Sequence, residues 1–234
     1  MNAASAPGVK PALALQRERA AEAGAASADA ADLLRLRALP AHARGQRIGL
    51  LGGSFNPPHL AHRQMSLFAM KRLGLDLVWW LVTPGNPLKT RSRPPPLGER
   101  VAAARRLARH PRIAVTAAEA AFGTCYTVDT VRELLRRCPG VRFVWLMGAD
   151  NLFEFHRWKD WKHIAALVPI AVIDRAGWLR AAAGPAAHAL AAARRKQEIG
   201  RALARTAPPA WVILFGMKSP LSSTALRREK EGGG

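Results

Sequence analysis

Six short apolar segments recur along the chain between residues 47 and 215, and each has the length and composition of a β-strand. The segment Val78–Val82 is apolar at every position, which is typical of a strand covered on both faces of a sheet. The predicted strands are Arg47–Leu51, Leu77–Thr83, Arg112–Thr116, Arg142–Met147, Val168–Asp174 and Trp211–Phe215.

Segments with helical periodicity separate these strands. The predicted helices are His59–Leu73, Leu97–His110, Val128–Arg137, Asn151–Phe155, Trp158–Ala165, Pro185–Thr206 and Ser222–Lys230. Strands that alternate with helices predict an α/β fold, namely a doubly wound, Rossmann-like parallel sheet with helices on both faces. Ligands of such sheets bind at the carboxyl ends of the strands, so we expect the functional residues there.

Residues 1–45 differ from the rest, because they are rich in Ala and contain few large apolar side chains. They lack the apolar core of a secretory signal, and their acidic residues argue against a transit peptide. We predict a mostly disordered extension over residues 1–45 and one folded domain over residues 46–234.

The charge of the chain is strongly positive, with 36 basic against 16 acidic residues and a net charge of +20. Such a charge favours anionic partners, either nucleic acid or phosphate-rich small molecules. Because Arg is spread over the whole chain together with Ala and Pro, compositional bias is a third explanation, and the charge alone assigns no function.

Cysteine usage and hydropathy indicate the cellular location. The two cysteines, Cys125 and Cys138, form no metal or disulfide framework, so a reduced, cytoplasmic location is expected. No apolar run approaches the roughly 20 residues of a membrane helix, so no membrane association is predicted. Whether the chain forms a homo-oligomer is left open.

The stretch Gly52–His62 carries the strongest chemical signal. Two glycines lie where the first strand turns into a helix, and they allow a ligand to approach the backbone closely. The start of that helix presents unpaired N–H groups and a partial positive charge, which suit phosphate. His59 and His62 are three residues apart, so we expect them to share one helical face and one site. As metal ligands they would lack neighbouring Cys or carboxylate partners, so no protein metal site is predicted.

This stretch resembles the GGxFxPxHxGH signature of the HxGH nucleotidyltransferases, and the likeness extends from about Arg47 to Arg228. Within that superfamily the chain is similar to the bacterial nicotinate-nucleotide adenylyltransferases. Ala61 stands where the family usually has Gly, and Asn56 stands where many members have Asp.

The resemblance implies an ATP site built from several motifs. In the family the histidines contact the ATP phosphates and stabilise the transition state. The glycine turn offers backbone N–H groups to the phosphates. Gly148–Asn151 resembles the family's GxDxL motif, and its carboxylate, Asp150, can accept hydrogen bonds from ribose hydroxyls. The implied ATP-binding residues are Gly52, Gly53, Ser54, Phe55, His59, His62, Gly148, Asp150, Ser222, Ser223, Thr224 and Arg227. The implied catalytic residues are His59, His62, Lys89 and Arg227.

The resemblance also implies a site for nicotinate mononucleotide, with Trp158 as the platform for the pyridine ring. Its implied residues are Asn56, Tyr126, Thr127, Trp158 and Arg175. Structural roles are the alternatives: Thr127 and Asp150 as helix N-caps, Lys89 and Arg175 as solvated side chains, and the tryptophans as packing residues, which is the role expected of Trp161.

The function implied is adenylyl transfer from ATP to nicotinate mononucleotide, which gives deamido-NAD and pyrophosphate in NAD biosynthesis. Direct in-line attack is expected, because no Ser or Cys lies beside a base as a nucleophile. Mg²⁺ bound to the ATP phosphates is the expected cofactor.

Two other functions are considered. A related HxGH adenylyltransferase would use nicotinamide mononucleotide or phosphopantetheine instead, and the acid-versus-amide preference is not decided by the sequence. A non-enzymatic, basic nucleic-acid binder would leave the ordered motifs as coincidence.

Overall fold

The computed structural model describes residues 38–85, 94–174 and 182–217. Its six strands form one parallel sheet in the order β3-β2-β1-β4-β5-β6, which is the strand order of a Rossmann-type fold. The strands are β1 (Arg47–Gly53), β2 (Leu77–Val82), β3 (Ile113–Thr116), β4 (Arg142–Gly148), β5 (Ile170–Ile173) and β6 (Trp211–Leu214). All six predicted strands are therefore present, with ends shifted by one or two residues.

Helices connect these strands. The α-helices are α1 (Leu60–Leu73), α2 (Leu97–Ala108), α3 (Ala118–Phe122), α4 (Thr127–Arg137), α5 (Ala149–Glu154), α6 (Trp161–Leu167) and α7 (Pro185–Ala189). Turns of 3-10 helix cover Phe155–Arg157, Ala191–Ala193 and Gln197–Arg205. No helix within the described ranges is long and apolar enough to cross a membrane.

The core consists of two apolar clusters that use alternate residues of the same strands. Leu51 and Trp80 belong to one cluster, and their neighbours Leu50 and Trp79 belong to the other. Because successive side chains of a strand point to opposite faces, this alternation shows that both faces of the sheet are covered. The continuous apolar run in β2 is explained by this double coverage.

Helix α1 illustrates how local sequence sets the ends of an element. Gly74 follows its last residue in the left-handed region at φ 63°, and the Leu75 N–H donates to the Met70 carbonyl. Lys71 and Arg72 lie in the last turn, where positive charge is favourable.

The predicted helix Pro185–Thr206 is wrong as one element. Its residues form α7 and two 3-10 segments, with an extended stretch between them. In that stretch the Arg195 N–H donates to the Trp211 carbonyl at 2.8 Å, and Arg194 forms a bridge with Trp211. Pairing with the start of β6 therefore outweighs the helix propensity of an Ala-rich segment.

Residues 38–45 precede β1 and contact the domain. The Thr116 hydroxyl donates to the Ala38 carbonyl at 2.8 Å, and the Gly45 N–H donates to the Gly140 carbonyl at 2.8 Å. The ring of His42 meets Trp79 edge-on at 5.5 Å. The extent of a disordered extension over residues 1–45 stays a prediction.

Candidate active site

The strand order reverses between β1 and β4, and this is where a ligand crevice forms in a sheet of this type. Gly52 and Gly53 are the last two residues of β1, and Gly148 is the last residue of β4. The fold therefore brings two sequence-predicted motifs, nearly 100 residues apart, to one edge of the sheet.

Gly52 has a structural role as well as the predicted functional one. A Cβ atom on Gly52 would lie 2.7 Å from Cη2 of Trp145 on β4, so the tryptophan ring occupies the space of the missing side chain. A Cβ atom on Gly53 would make only ordinary contact with the Phe55 ring, at 3.5 Å. Gly52 is thus required by packing, whereas Gly53 is not.

The segment Ser54–Pro58, here called the β1–α1 turn, contains one strained residue. Phe55 has φ 47° although it is not glycine, a conformation that needs support from its surroundings. Its buried ring stacks on Trp80 with centroids 5.0 Å apart, and it contacts His62 at 4.7 Å. Asn56 follows Phe55 in this turn and is half-buried.

His59 and His62 lie together at the start of α1, as their spacing predicts. His59 is the N-cap residue, His62 is three residues further on, and their ring centroids are 3.8 Å apart. The His59 side chain is almost completely buried, and His62 is half-buried. Helix α1 has 14 residues, so its amino end adds a partial positive charge beside the two imidazoles.

A hydrogen bond sets the tautomer of His62. The His59 backbone N–H donates to His62 Nδ1 at 3.2 Å, which is a capping-box contact. Because Nδ1 accepts this bond, the proton of the neutral ring resides on Nε2. His62 can therefore donate a hydrogen bond from Nε2 to an anion without giving up its capping contact.

Two further residues hold this first turn of α1 in place. The Ser66 hydroxyl donates to the His62 carbonyl at 2.8 Å, and Trp80 Nε1–H donates to the Ser66 hydroxyl oxygen at 2.8 Å.

Ala61 stands where the family usually has Gly. Its side chain is fully buried in a core cluster, so the methyl group that Gly would lack is packed inside the domain.

Asp150 lies in the first turn of α5, directly beyond the end of β4, and it is exposed. The N-cap residue of α5 is Gly148. The alternative role of Asp150 as that helix's N-cap is therefore wrong, and its predicted role in ribose binding stays a prediction.

The start of α4 carries the predicted pyridine-binding residues Tyr126 and Thr127. The N-cap is Tyr126 and Thr127 is the first helical residue, so the predicted capping role of Thr127 is wrong by one position. The Thr130 hydroxyl lies within hydrogen-bond distance of the Tyr126 carbonyl, at 3.1 Å, and of Glu119 Oε1, at 3.2 Å.

Glu119 on α3 is a buried carboxyl group that is not among the residues predicted from the sequence. Burial raises the pKa of Glu119 to about 7, although the hydroxyls of Thr83 and Thr130 act in the opposite direction. Its Oε2 atom has no hydrogen-bond partner among the described residues. Glu119 therefore carries a proton for much of its time near neutral pH.

Trp158 lies between the core and the surface. Its half-buried ring meets Phe155 edge-on at 5.3 Å and Trp145 at 6.2 Å, so it packs against the same tryptophan that covers Gly52. Trp161 also packs on Phe155, at 5.6 Å, in agreement with its expected packing role.

Lys159 connects this segment with α4. Its Nζ atom lies 4.4 Å from the centroid of the Tyr126 ring and 3.4 Å from Asp129 Oδ2. A positive charge thus lies beside the residues predicted to hold the pyridine ring.

Part of the predicted site lies outside the described residues. These positions are Lys89, Arg175, Ser222, Ser223, Thr224 and Arg227. Their predicted roles stay predictions.

Comparisons with known proteins identify the family. The cytidylyltransferase-like family model matches residues 50–229. A probable nicotinate-nucleotide adenylyltransferase of Bradyrhizobium sp. is 60% identical over 182 residues, which cover 77% of this chain and 95% of that protein. A relative of the same name from Rhizobium meliloti is 52% identical over 186 residues, which cover 79% of this chain and 99% of that protein. The chain belongs to the nicotinate-nucleotide adenylyltransferase family.

A solved structure supports the fold of this family member. Plasmodium falciparum nicotinic acid mononucleotide adenylyltransferase, complexed with NaAD, aligns with a TM-score of 0.55 and 15% identity. The alignment covers 78% of this chain and 83% of that chain. At this identity the likeness concerns the fold alone, and it confirms the predicted Rossmann-like α/β architecture.

Proposed function

We propose that this protein transfers the adenylyl group of ATP to nicotinate mononucleotide, releasing pyrophosphate and forming deamido-NAD for NAD biosynthesis. The observation that carries the proposal is the 52–60% identity with relatives named for this activity, over 95–99% of their length. The site geometry is consistent with it, because paired histidines and a helix amino terminus meet at the switch point of the sheet.

In the proposed reaction a phosphate oxygen of the mononucleotide attacks the α-phosphorus of ATP in line with the departing pyrophosphate. One P–O bond forms and the bond between the α-phosphorus and its bridging oxygen to the β-phosphorus breaks. Both reactants are polyanions, so their repulsion is the main obstacle, and catalysis consists of positioning and charge stabilisation.

His62 donates from Nε2 to a phosphate oxygen in this proposal, and His59 lies beside it as a second group for the same anion. The end of β1 and the β1–α1 turn contribute backbone N–H groups, and the amino end of α1 contributes its partial charge. Lys89 and Arg227 are proposed to add positive charge.

The acceptor is proposed to lie between the start of α4 and Trp158, with its pyridine ring against the indole and near Tyr126 and Thr127. Asp150 is proposed to accept hydrogen bonds from ribose hydroxyls. Asn56 and Arg175 complete the proposed acceptor site.

Mg²⁺ is the proposed metal, and it would neutralise charge on the ATP phosphates. Within residues 38–85, 94–174 and 182–217, no group of three or more His, Cys, Asp or Glu residues could hold a metal ion. Mg²⁺ retains several waters and is commonly bound through substrate phosphates, which fits a site of this kind.

A cytoplasmic location is also proposed, in keeping with the free thiols of Cys125 and Cys138.

A pyrophosphate-release assay tests the reaction with ATP, Mg²⁺ and three acceptors in parallel: nicotinate mononucleotide, nicotinamide mononucleotide and phosphopantetheine. We expect strong preference for the nicotinate compound. Preference for another acceptor would refute the substrate assignment, and no release with any of them would refute the enzymatic function.

The role of His62 is tested by a pair of variants. His62→Ala removes the Nε2 donor together with the capping contact, so we expect it to fold with a loss of about 1 kcal/mol in the free energy of unfolding. We expect it to lose on the order of 10²–10³ in kcat, as for removal of one oxyanion-hole donor. His188→Ala, at an exposed position on α7, is the control and should retain full turnover. Normal turnover of folded His62→Ala would exclude the proposed role.

A further inference from the structure

Arg100 on α2 is the one Lys or Arg residue that the described ranges bury, with 4% of its surface exposed. No carboxylate compensates it, because none of the ion pairs in the described part of the chain involves Arg100. Burial lowers the pKa of its guanidinium, although an arginine still remains charged at neutral pH.

Four backbone carbonyls satisfy this guanidinium. Nη1 donates to the carbonyls of Ser54 and Thr83, both at 2.8 Å. Nε donates to the Pro95 carbonyl at 3.0 Å, and Nη2 donates to the Pro84 carbonyl at 3.3 Å. Arg100 thus connects the β1–α1 turn, the segment after β2 and the segment before α2.

The bond to Ser54 determines the orientation of one peptide group in the β1–α1 turn. In a planar trans peptide the carbonyl and the following N–H point in opposite directions. Because the Ser54 carbonyl points at Arg100, the Phe55 N–H points away from the buried guanidinium. The next residue along, Phe55, has φ 47°, so this orientation belongs to a strained turn that needs external support.

Support comes from two sides. The Phe55 ring is held by Trp80 and His62, and the carbonyl that precedes Phe55 is held by Arg100. The ends of β1 and β2 are also tied directly, since the Thr83 N–H donates to the Gly53 carbonyl at 3.0 Å. Arg100 lies 46 residues from Ser54 in sequence, so this support exists only in the folded chain.

We propose that Arg100 is a positioning residue that presets the Ser54–Phe55 peptide for the triphosphate of ATP. The inference rests on the function proposed above. Arg100 itself does not contact the substrate in this proposal. Among the described residues only carbonyl dipoles, and no carboxylate, face Arg100, so a positive charge remains beside a site that receives anions.

Arg100→Lys is the decisive variant, because lysine retains the charge but lacks the planar fork that reaches four carbonyls. Isothermal titration with Mg²⁺ and a non-hydrolysable ATP analogue gives both Kd and stoichiometry. If Arg100→Lys merely unfolds part of the protein, the stoichiometry of binding falls and Kd is unchanged. If it loses the orientation of the Ser54–Phe55 peptide, Kd rises and the stoichiometry stays near one. We expect a rise in Kd and a loss of about 10²-fold in kcat/KM for ATP, the effect of a misplacement of about 1 Å.

Arg105→Lys, at an exposed position of the same helix, is the matched control and should behave as the wild type. An unchanged Kd for the ATP analogue in Arg100→Lys would overturn the inference. If the wild type itself neither binds ATP nor releases pyrophosphate, the proposed function fails instead.

A measurement on the wild type covers the case in which Arg100→Lys does not fold. In a crystal structure with the ATP analogue and Mg²⁺, we expect the Ser54 carbonyl to remain on Arg100 and the Phe55 N–H to lie within hydrogen-bond distance of a phosphate oxygen. A Ser54–Phe55 peptide that flips on binding would refute the inference.

Discussion

Replacing Glu119 with glutamine is expected to stabilise the protein at high pH and to leave its stability nearly unchanged at low pH. The folded protein raises the pKa of Glu119 to about 7, from an ordinary value of 4.5, because the carboxyl group is buried. The folded state therefore binds this proton more tightly than the unfolded state does. The resulting stabilisation is fully present below about pH 4.5 and is lost as the pH rises through about 7.

The size of the effect follows from this pKa difference. A shift of about 2.5 units, at 1.36 kcal/mol per unit, corresponds to about 3 kcal/mol in the free energy of unfolding. No discount for solvent screening is needed, since only 5% of the residue surface is exposed. Glutamine has nearly the same shape and remains neutral, so it does not incur this loss.

Urea unfolding of both proteins between pH 5 and pH 9 measures the difference. Other titrating groups, including the seven histidines, are common to both proteins, so their contributions cancel in the difference between the two unfolding free energies. We expect the advantage of Glu119→Gln over the wild type to grow by about 3 kcal/mol across this range. Glu133→Gln is the control: Arg136 and Arg137 lower the pKa of Glu133 to about 2, so its charge does not change over the same range. An advantage of Glu119→Gln that is the same at every pH would refute the reasoning.

Three further substitutions test other contacts. Gly52→Ala places a Cβ atom 2.7 Å from the Trp145 ring, so we expect a loss of about 1–3 kcal/mol in urea unfolding. Ser66→Ala leaves the buried Trp80 Nε1–H without its acceptor and should cost about 1–3 kcal/mol in the same assay. Lys159→Met removes a positive charge beside Tyr126 and should raise KM for nicotinate mononucleotide about two- to fivefold, with KM for ATP unchanged.

Each of these has a result that would contradict it. Wild-type stability of Gly52→Ala would mean that the Trp145 ring moves at no cost, and wild-type stability of Ser66→Ala would mean that water reaches Trp80. Lys162→Met is the control for Lys159→Met, since Lys162 is exposed and lies over Trp161 instead. Equal changes in KM in both lysine variants would indicate a general effect of surface charge.

Much of the fold follows from local pattern. The all-apolar run Val78–Val82 identifies a doubly covered strand without any knowledge of its neighbours, and the structure places it inside β2. The spacing of His59 and His62 likewise brings the two rings together, because helix geometry depends only on nearby residues. Strands, their order along the chain and the paired histidines were therefore readable from the sequence alone.

Other features required the tertiary structure. The stretch Pro185–Thr206 reads as one helix, but pairing of Arg195 with Trp211 breaks it. The sequence does not single out Glu119, and its raised pKa comes from burial in the folded domain. Helical spacing places Arg100 on the same face as Ala104 and Ala108, but it does not reveal the distant carbonyls that the guanidinium reaches.

The difference between the features that sequence predicts and those that it does not has one physical cause. Periodicity records interactions between residues within one or two turns, and these determined the elements, whereas the candidate ATP-binding residues come from the resemblance to the HxGH nucleotidyltransferases. The dielectric surroundings of a side chain and the carbonyls that it can reach depend on residues brought close by folding, as with Arg100 and Ser54. Only the tertiary structure decided that one arginine of the basic chain supports the β1–α1 turn from within.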